Sequence, residues 1–188
     1  MSTRTAPVQE RTATTTWKTD PIHSSAQFKV KHMMISNVKG EFGAITGSLQ
    51  FDSNDPTKSK VEASIDAATI TTGDTQRDAH LKSPDFFDAE KFPTLAFQST
   101  SVSKNGKDEL TVAGDLTIHG VTRPVVFVVE GPSEPAKAPW GTTRIGLAAT
   151  TRINRKDFGL TWNAALETGG ILVGEEVTIN LEVQFIKA

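Results

Sequence analysis

Residues 177–185 read VTINLEVQF. Val177, Ile179, Leu181, Val183 and Phe185 fall on one side of an extended chain, and Thr178, Asn180, Glu182 and Gln184 on the other. Strict alternation over nine residues, roughly 30 Å if fully extended, is the mark of a strand with one apolar and one wet face. The same period recurs upstream. Ala26, Phe28, Val30, His32 and Met34 alternate with Gln27, Lys29 and Lys31, and Val61, Ala63, Ile65 and Ala67 alternate with Glu62, Ser64 and Asp66. Further runs lie at Leu95–Ser99, Leu110–Ile118, Val121–Val129 and Ile145–Ile153.

Turn signals separate these runs. Asn105-Gly106 predicts a hairpin between the runs on either side of it, and His119-Gly120 a second reversal. Gly40, Gly43 and Gly47 coincide with a change of apolar phase from Phe42 to Ile45, as at a bulge or sharp bend. About eight mostly long strands with short turns indicate an antiparallel sandwich or barrel. Inward faces of mixed residue size, bends at glycines and the need to remove long open edges favour the barrel. Residues 1–16, polar and without periodicity, are expected to form a disordered or loosely ordered tail, with the barrel occupying 17–188.

One segment breaks the strand pattern: Arg77–Pro93, RDAHLKSPDFFDAEKFP. Asp74 is placed to cap a first helical turn, and Ser83 followed by Pro84 to start a second. Arg77, Asp78 and His80 are expected to tie this insertion, near residues 74–90, to the barrel. A ligand role for Arg77 and His80 is the alternative. Phe86, Phe87 and Phe92 either plug the barrel end or line its entrance.

Composition closes off several classes of function. The 20 basic residues nearly balance the 22 acidic ones, which is not the footprint of a nucleic-acid binder. With no cysteine, disulfides, thiolate zinc sites, iron–sulfur clusters and cysteine nucleophiles are excluded. His23, His32, His80 and His119 show neither HxH nor HExxH spacing, so no metal site is expected. There is no GxSxG elbow, and no catalytic residue is predicted. No window is apolar enough for a transmembrane segment. No signal peptide is visible at the start, so the sequence as written is expected in the cytoplasm, or in the periplasm if a native leader precedes it.

Four stretches in this order, WKTDPIHSSAQFKVKHMMISNVKGEF (17–42), TTGDTQRDAHLKSPDFFDAEKFPTLAFQS (71–99), LTIHGVTRPV (116–125) and INRKDFG (153–159), resemble the YceI family of polyisoprenoid-binding proteins. The resemblance covers Trp17 to about Phe185. It implies an elongated lipocalin-like barrel that binds, stores or transports a long isoprenoid lipid, such as an isoprenoid quinone or polyprenyl phosphate, and it implies no enzymatic reaction. A homodimer is compatible with it. No cofactor other than bound lipid is expected. The rival is a structural or stress-related interaction domain whose barrel is filled by its own side chains, with a metal-dependent enzyme as the lesser alternative.

On that reading Phe28, Val30, His32, Met34, Phe42, Phe86, Phe87, Phe97 and Trp162 are expected to line the cavity. His32, Arg77, His80 and Arg155 are the head-group candidates, because arginine's planar donors match phosphate and a histidine on an apolar face needs a polar partner. His32 as an ordinary satisfied core histidine is the alternative. Arg155 and Asp157 are expected to form a local ion pair, Trp162 either to cover the mouth or to pack beside it, and His119 to be solvated.

Overall fold

The structure is a computed structural model and describes residues 13–188. Its strands are β1 (Thr14–Thr19), β2 (Ser25–His32), β3 (Ser36–Phe42), β4 (Ile45–Asp52), β5 (Lys60–Asp66), β6 (Thr94–Lys104), β7 (Glu109–Ile118), β8 (Val121–Glu130), β9 (Ala136–Lys137), β10 (Thr143–Asn154) and β11 (Val173–Lys187). Among the described residues one α-helix, α1 (Thr75–Lys82), lies between β5 and β6. Of the expected tail, residues 1–12 lie outside the described residues. Thr14–Thr16 belong to β1, whose pairing with β4 begins three residues before Trp17.

Every strand pair is antiparallel, and the circuit β11-β1-β4-β5-β6-β7-β8-β10 closes through an eleven-residue register between β10 and β11, from Arg144↔Ile186 to Asn154↔Glu176. This is the expected eight-stranded barrel. β1 and β2 lie end to end along the same edge of β11, one opposite Phe185–Lys187 and the other opposite Val173–Glu182. β3 and β4 are likewise two halves of one strand, bent at Gly43-Ala44 where the change of apolar phase predicts a bend. Alternation places Trp17, Ile45, Leu49, Ile145, Val183 and Phe185 in one buried cluster, with two more stacked along the barrel around Phe158 and Phe127.

The gap between β1 and β2 is built on Asp20. Its side chain is 6% exposed, and its carboxylate accepts from the Ile22 N–H at 3.0 Å and contacts His23 Nδ1 at 2.8 Å and the Arg144 guanidinium. Arg144 also donates to Gln184 Oε1 at 3.0 Å, so one cluster fixes the strand break to β10 and β11.

The β2–β3 hairpin departs from its expected course. The alternation through Met34 ends at His32, because Met33 (φ 51°) and Met34 (φ 61°) take left-handed conformations and the Ile35 N–H donates to the His32 carbonyl at 3.1 Å. Such a two-residue turn normally carries Asn-Gly, and a left-handed backbone costs a residue with a side chain roughly 1–2 kcal/mol. Met34 therefore sits on an exposed tip rather than in the wall.

The insertion between β5 and β6 is clipped at its base by a hydrogen bond from the Ala67 N–H to the Pro93 carbonyl, 2.8 Å. Reciprocal bonds of 2.9 Å between Glu41 and Thr71 attach it to the free edge of β3. Asp74 caps α1 by accepting from the Arg77 N–H at 2.8 Å, as expected. The predicted second helical turn is instead a hydrogen-bonded loop: Ser83 is the C-cap of α1, and the Phe86 and Asp88 N–H groups both donate to its carbonyl.

Candidate functional site

Inside the barrel is a cavity of about 260 Å³ whose wall is almost wholly apolar and runs from the capped end to the opposite rim. All five alternating residues of β11, from Val177 to Phe185, face it. Phe28 and Val30 of β2, Phe42 of β3, Phe97 of β6 and Phe86 and Phe87 of the insertion line it as expected, joined by Leu81 of α1. The Phe28 ring can lie flat against β3 because residue 40 is glycine: a Cβ there would stand 2.3 Å from the ring. Phe28, Phe42 and Phe87 then form a chain of ring contacts, 5.8 Å and 5.6 Å between centroids, linking the hairpin to the cap.

Five of the expected positions lie elsewhere. His32 is half-buried beyond the cavity, opposite Val173 and Ser36 at the hairpin end, and Met34 is 56% exposed. Arg77 grips the chain before its own helix, with Nε donating to Thr72 Oγ1 at 2.7 Å and a terminal nitrogen to the Thr72 carbonyl at 3.0 Å. Asp78 accepts from the Thr72 N–H and hydroxyl at 2.8 and 2.6 Å, and the hydroxyl contact holds its carboxyl below the usual aspartate value. His80 contacts Asp85 at 2.8 Å and lies edge-on to Phe86 and Trp162. Arg77 and Asp78 thus fasten α1 to the chain just before it, while the expected tie to the barrel is made instead by the main chain at Thr71 and Glu41.

Trp162 does not line the cavity. Its ring packs 5.4 Å from Phe86 and 4.7 Å from His80, covering the buried Phe86 from outside. Phe92 packs against His119 at 4.8 Å, away from the cavity, so His119 is half-buried rather than solvated.

Arg155 is the one head-group candidate on the wall. It is 3% exposed, and the expected ion pair with Asp157 does not form. Its donors go to main-chain carbonyls: Nε to Gly174 at 2.7 Å, one terminal nitrogen to Leu160 at 2.7 Å and Trp162 at 2.9 Å, the other to Val173 at 3.2 Å. Burial lowers its pKa, opposed by the charge of Glu175, and a guanidinium nonetheless stays cationic. Glu175 itself pairs with Lys156 at 2.6 Å, and none of the ion pairs among the described residues includes Arg155. The carbonyl cage could not be read from side-chain types, because its acceptors are backbone atoms. Among the described residues, no three His, Asp or Glu side chains converge as metal ligands, and no helix is long and apolar enough to cross a membrane.

A closed barrel with an apolar lumen and a helical cap at one end agrees with what the chain resembles. The model of the YceI-like domain matches residues 17–185. This chain belongs to the YceI-like family. Over 166 residues it is 38% identical to a UPF0312 protein of Staphylococcus aureus strain N315, covering 88% of this chain and 94% of the relative. Among solved structures, the YceI protein of Campylobacter jejuni is 30% identical, with a TM-score of 0.69 over 84% of this chain and 90% of that one. BcnA of Burkholderia cenocepacia shares the YceI-like fold at 23% identity, with a TM-score of 0.75 over 88% and 98%. A polyisoprenoid binding domain of Saccharophagus degradans shares it at 14% identity, with a TM-score of 0.65 over 92% and 98%.

Proposed function

We propose that this YceI-like barrel binds a long isoprenoid lipid, an isoprenoid quinone or a polyprenyl phosphate, along its lumen and does not transform it chemically. The observation that carries this is the continuous apolar cavity, walled by β11 and its neighbours and closed at one end by Leu81, Phe86 and Phe87. The same fold serves as a polyisoprenoid binding domain in Saccharophagus degradans. An open lumen argues against the alternative of a barrel filled by its own side chains.

Burying a chain at about 0.8 kcal/mol per CH₂ offers on the order of 10 kcal/mol for several isoprene units. The cost of association, several kcal/mol, leaves a useful surplus. At about 260 Å³ the cavity lies just under the roughly 300–1,000 Å³ usual for ligand pockets, so a long chain must displace wall side chains or extend through the mouth. Arg155 favours a head that is anionic or strongly polarised at the capped end.

The test is gentle purification, extraction into organic solvent and mass spectrometry, followed by titration with added isoprenoid quinone and polyprenyl phosphate. Stoichiometric isoprenoid in the extract, or saturable uptake that Phe28→Asp abolishes, is the expected result. An extract free of lipid from a protein that also ignores both added ligands would overturn the proposal.

A further inference from the structure

The β2–β3 hairpin carries two features that the cavity does not use. At its tip Met33, Met34 and Ile35 are 42%, 56% and 80% exposed, three consecutive large apolar side chains in water. Two of them occupy left-handed positions where Asn-Gly would fit without strain, so the backbone is held in an unfavourable conformation while presenting methionines outward. On the outward face behind the tip, Lys29 stands directly opposite Lys39, and Lys31 opposite Asn37. Like charges facing each other across two strands repel. All three lysines are exposed, and none takes part in an ion pair among the described residues. Glu41, opposite Gln27, lies farther from the tip, and on the β11 flank Glu175 is paired with Lys156 and Glu176 with Arg152. In a chain of formal net charge −2, this is a local concentration of uncompensated positive charge.

We propose that this hairpin tip docks on a bilayer surface containing anionic lipid, with Met33, Met34 and Ile35 entering its apolar edge and Lys29, Lys31 and Lys39 lying on its phosphates. Exposed apolar side chains backed by lysines are the combination that holds a protein at such an interface, each part adding to the other. The position fits: the Met33 N–H donates to the Leu172 carbonyl at 2.8 Å, while Phe28 and Val30 of the same hairpin line the cavity. Docking would therefore set the capped end of the barrel against the membrane. Its purpose rests on the lipid-binding reading above, though the docking itself can be measured without it.

The test is sedimentation of the whole protein with vesicles of phosphatidylglycerol and phosphatidylcholine in equal parts, beside vesicles of phosphatidylcholine alone. Wild type should sediment with the mixed vesicles, weaken as salt rises and bind the neutral ones poorly. Lys29→Gln and Lys39→Gln should each weaken partition about five-fold. The double substitution Met33→Asn, Met34→Gly should weaken it roughly ten-fold or more while raising Tm, because it removes apolar contact and relieves the turn together. Opposite signs on binding and stability separate docking from misfolding. Equal binding to neutral vesicles, or a double variant that sediments like wild type, would overturn the proposal. So would a wild type that ignores vesicles but forms a dimer lost in the double variant, which would assign the tip to self-association. Uptake of a short, water-dispersed isoprenoid without vesicles is measured in parallel. If that uptake is absent while docking persists, the lipid-binding reading fails and the docking stands.

Discussion

The two ends of β10 hold buried charge by opposite means. Arg144, near its start, meets the carboxylate of Asp20, so positive and negative charge are buried together. Arg155, just past its end, is more deeply buried than Arg144 and meets only carbonyl oxygens. The first arrangement is closed: its charge is balanced within the protein, and its work is to join a broken strand to its neighbours. The second stays electrically open while its hydrogen bonds are satisfied, and it alone touches the cavity. Rigid anchoring at both sites therefore goes with a positive potential at only one, the end where the cap sits.

Substitutions can test that contrast. Arg155→Leu should be the most damaging, since it strands several buried carbonyls at about 1 kcal/mol or more each; a loss near 4 kcal/mol in a urea melt is expected. If the variant were as stable as wild type, the cage would not be what holds residues 160–174. Asp20→Ala should cost about 3 kcal/mol by leaving Arg144 unpaired. Hydrogen bonds from His23 and then Arg144, opposed by burial, hold the Asp20 carboxyl far below its ordinary value of 3.8. A depressed folded pKa means that the contribution is complete above 3.8 and is lost as pH falls toward the folded value. The gap in urea midpoint between wild type and Asp20→Ala should thus stay constant near neutrality and narrow in acid; a gap that widens in acid would contradict this site. Replacing both partners, Asp20→Leu with Arg144→Met, should cost least, within about 1 kcal/mol of wild type, because a buried pair exchanged for apolar volume is often nearly neutral. No comparable exchange exists for Arg155, whose acceptors are main chain.

Those acceptors also show where sequence stops being informative. The β11 alternation placed five side chains on the cavity wall, and Asp74, Asn105-Gly106 and the bend near Gly43 fell where local chemistry requires them. Such features depend on neighbours in the chain. Arg144 and Asp20 are 124 residues apart, with no local pattern to join them. The carbonyls around Arg155 carry no residue identity at all. At Met33-Met34 local pattern was misleading, since the alternation continues through a pair with no turn preference, and the strand expectation for Met34 failed there. His32 missed the wall for a different reason: it is in phase within β2 but lies beyond the end of the cavity. The expectation for Trp162 could be resolved only by seeing which side of Phe86 it covers.

Closure through β11 has a consequence for how the chain reaches this state. β11 pairs with β10 on one side and with β1 and β2 on the other, and its contacts with β1 join opposite ends of the described chain. Pairings so distant in sequence form late and slowly, because the loop they close is long and little rewards it until the register is complete. Until then the hydrogen-bonding edges of β1, β2 and β10 that face β11 remain open, and the lumen is a groove rather than an enclosed cavity. A chain molecule could be enclosed at that stage by the barrel closing around it, without having to thread past the cap.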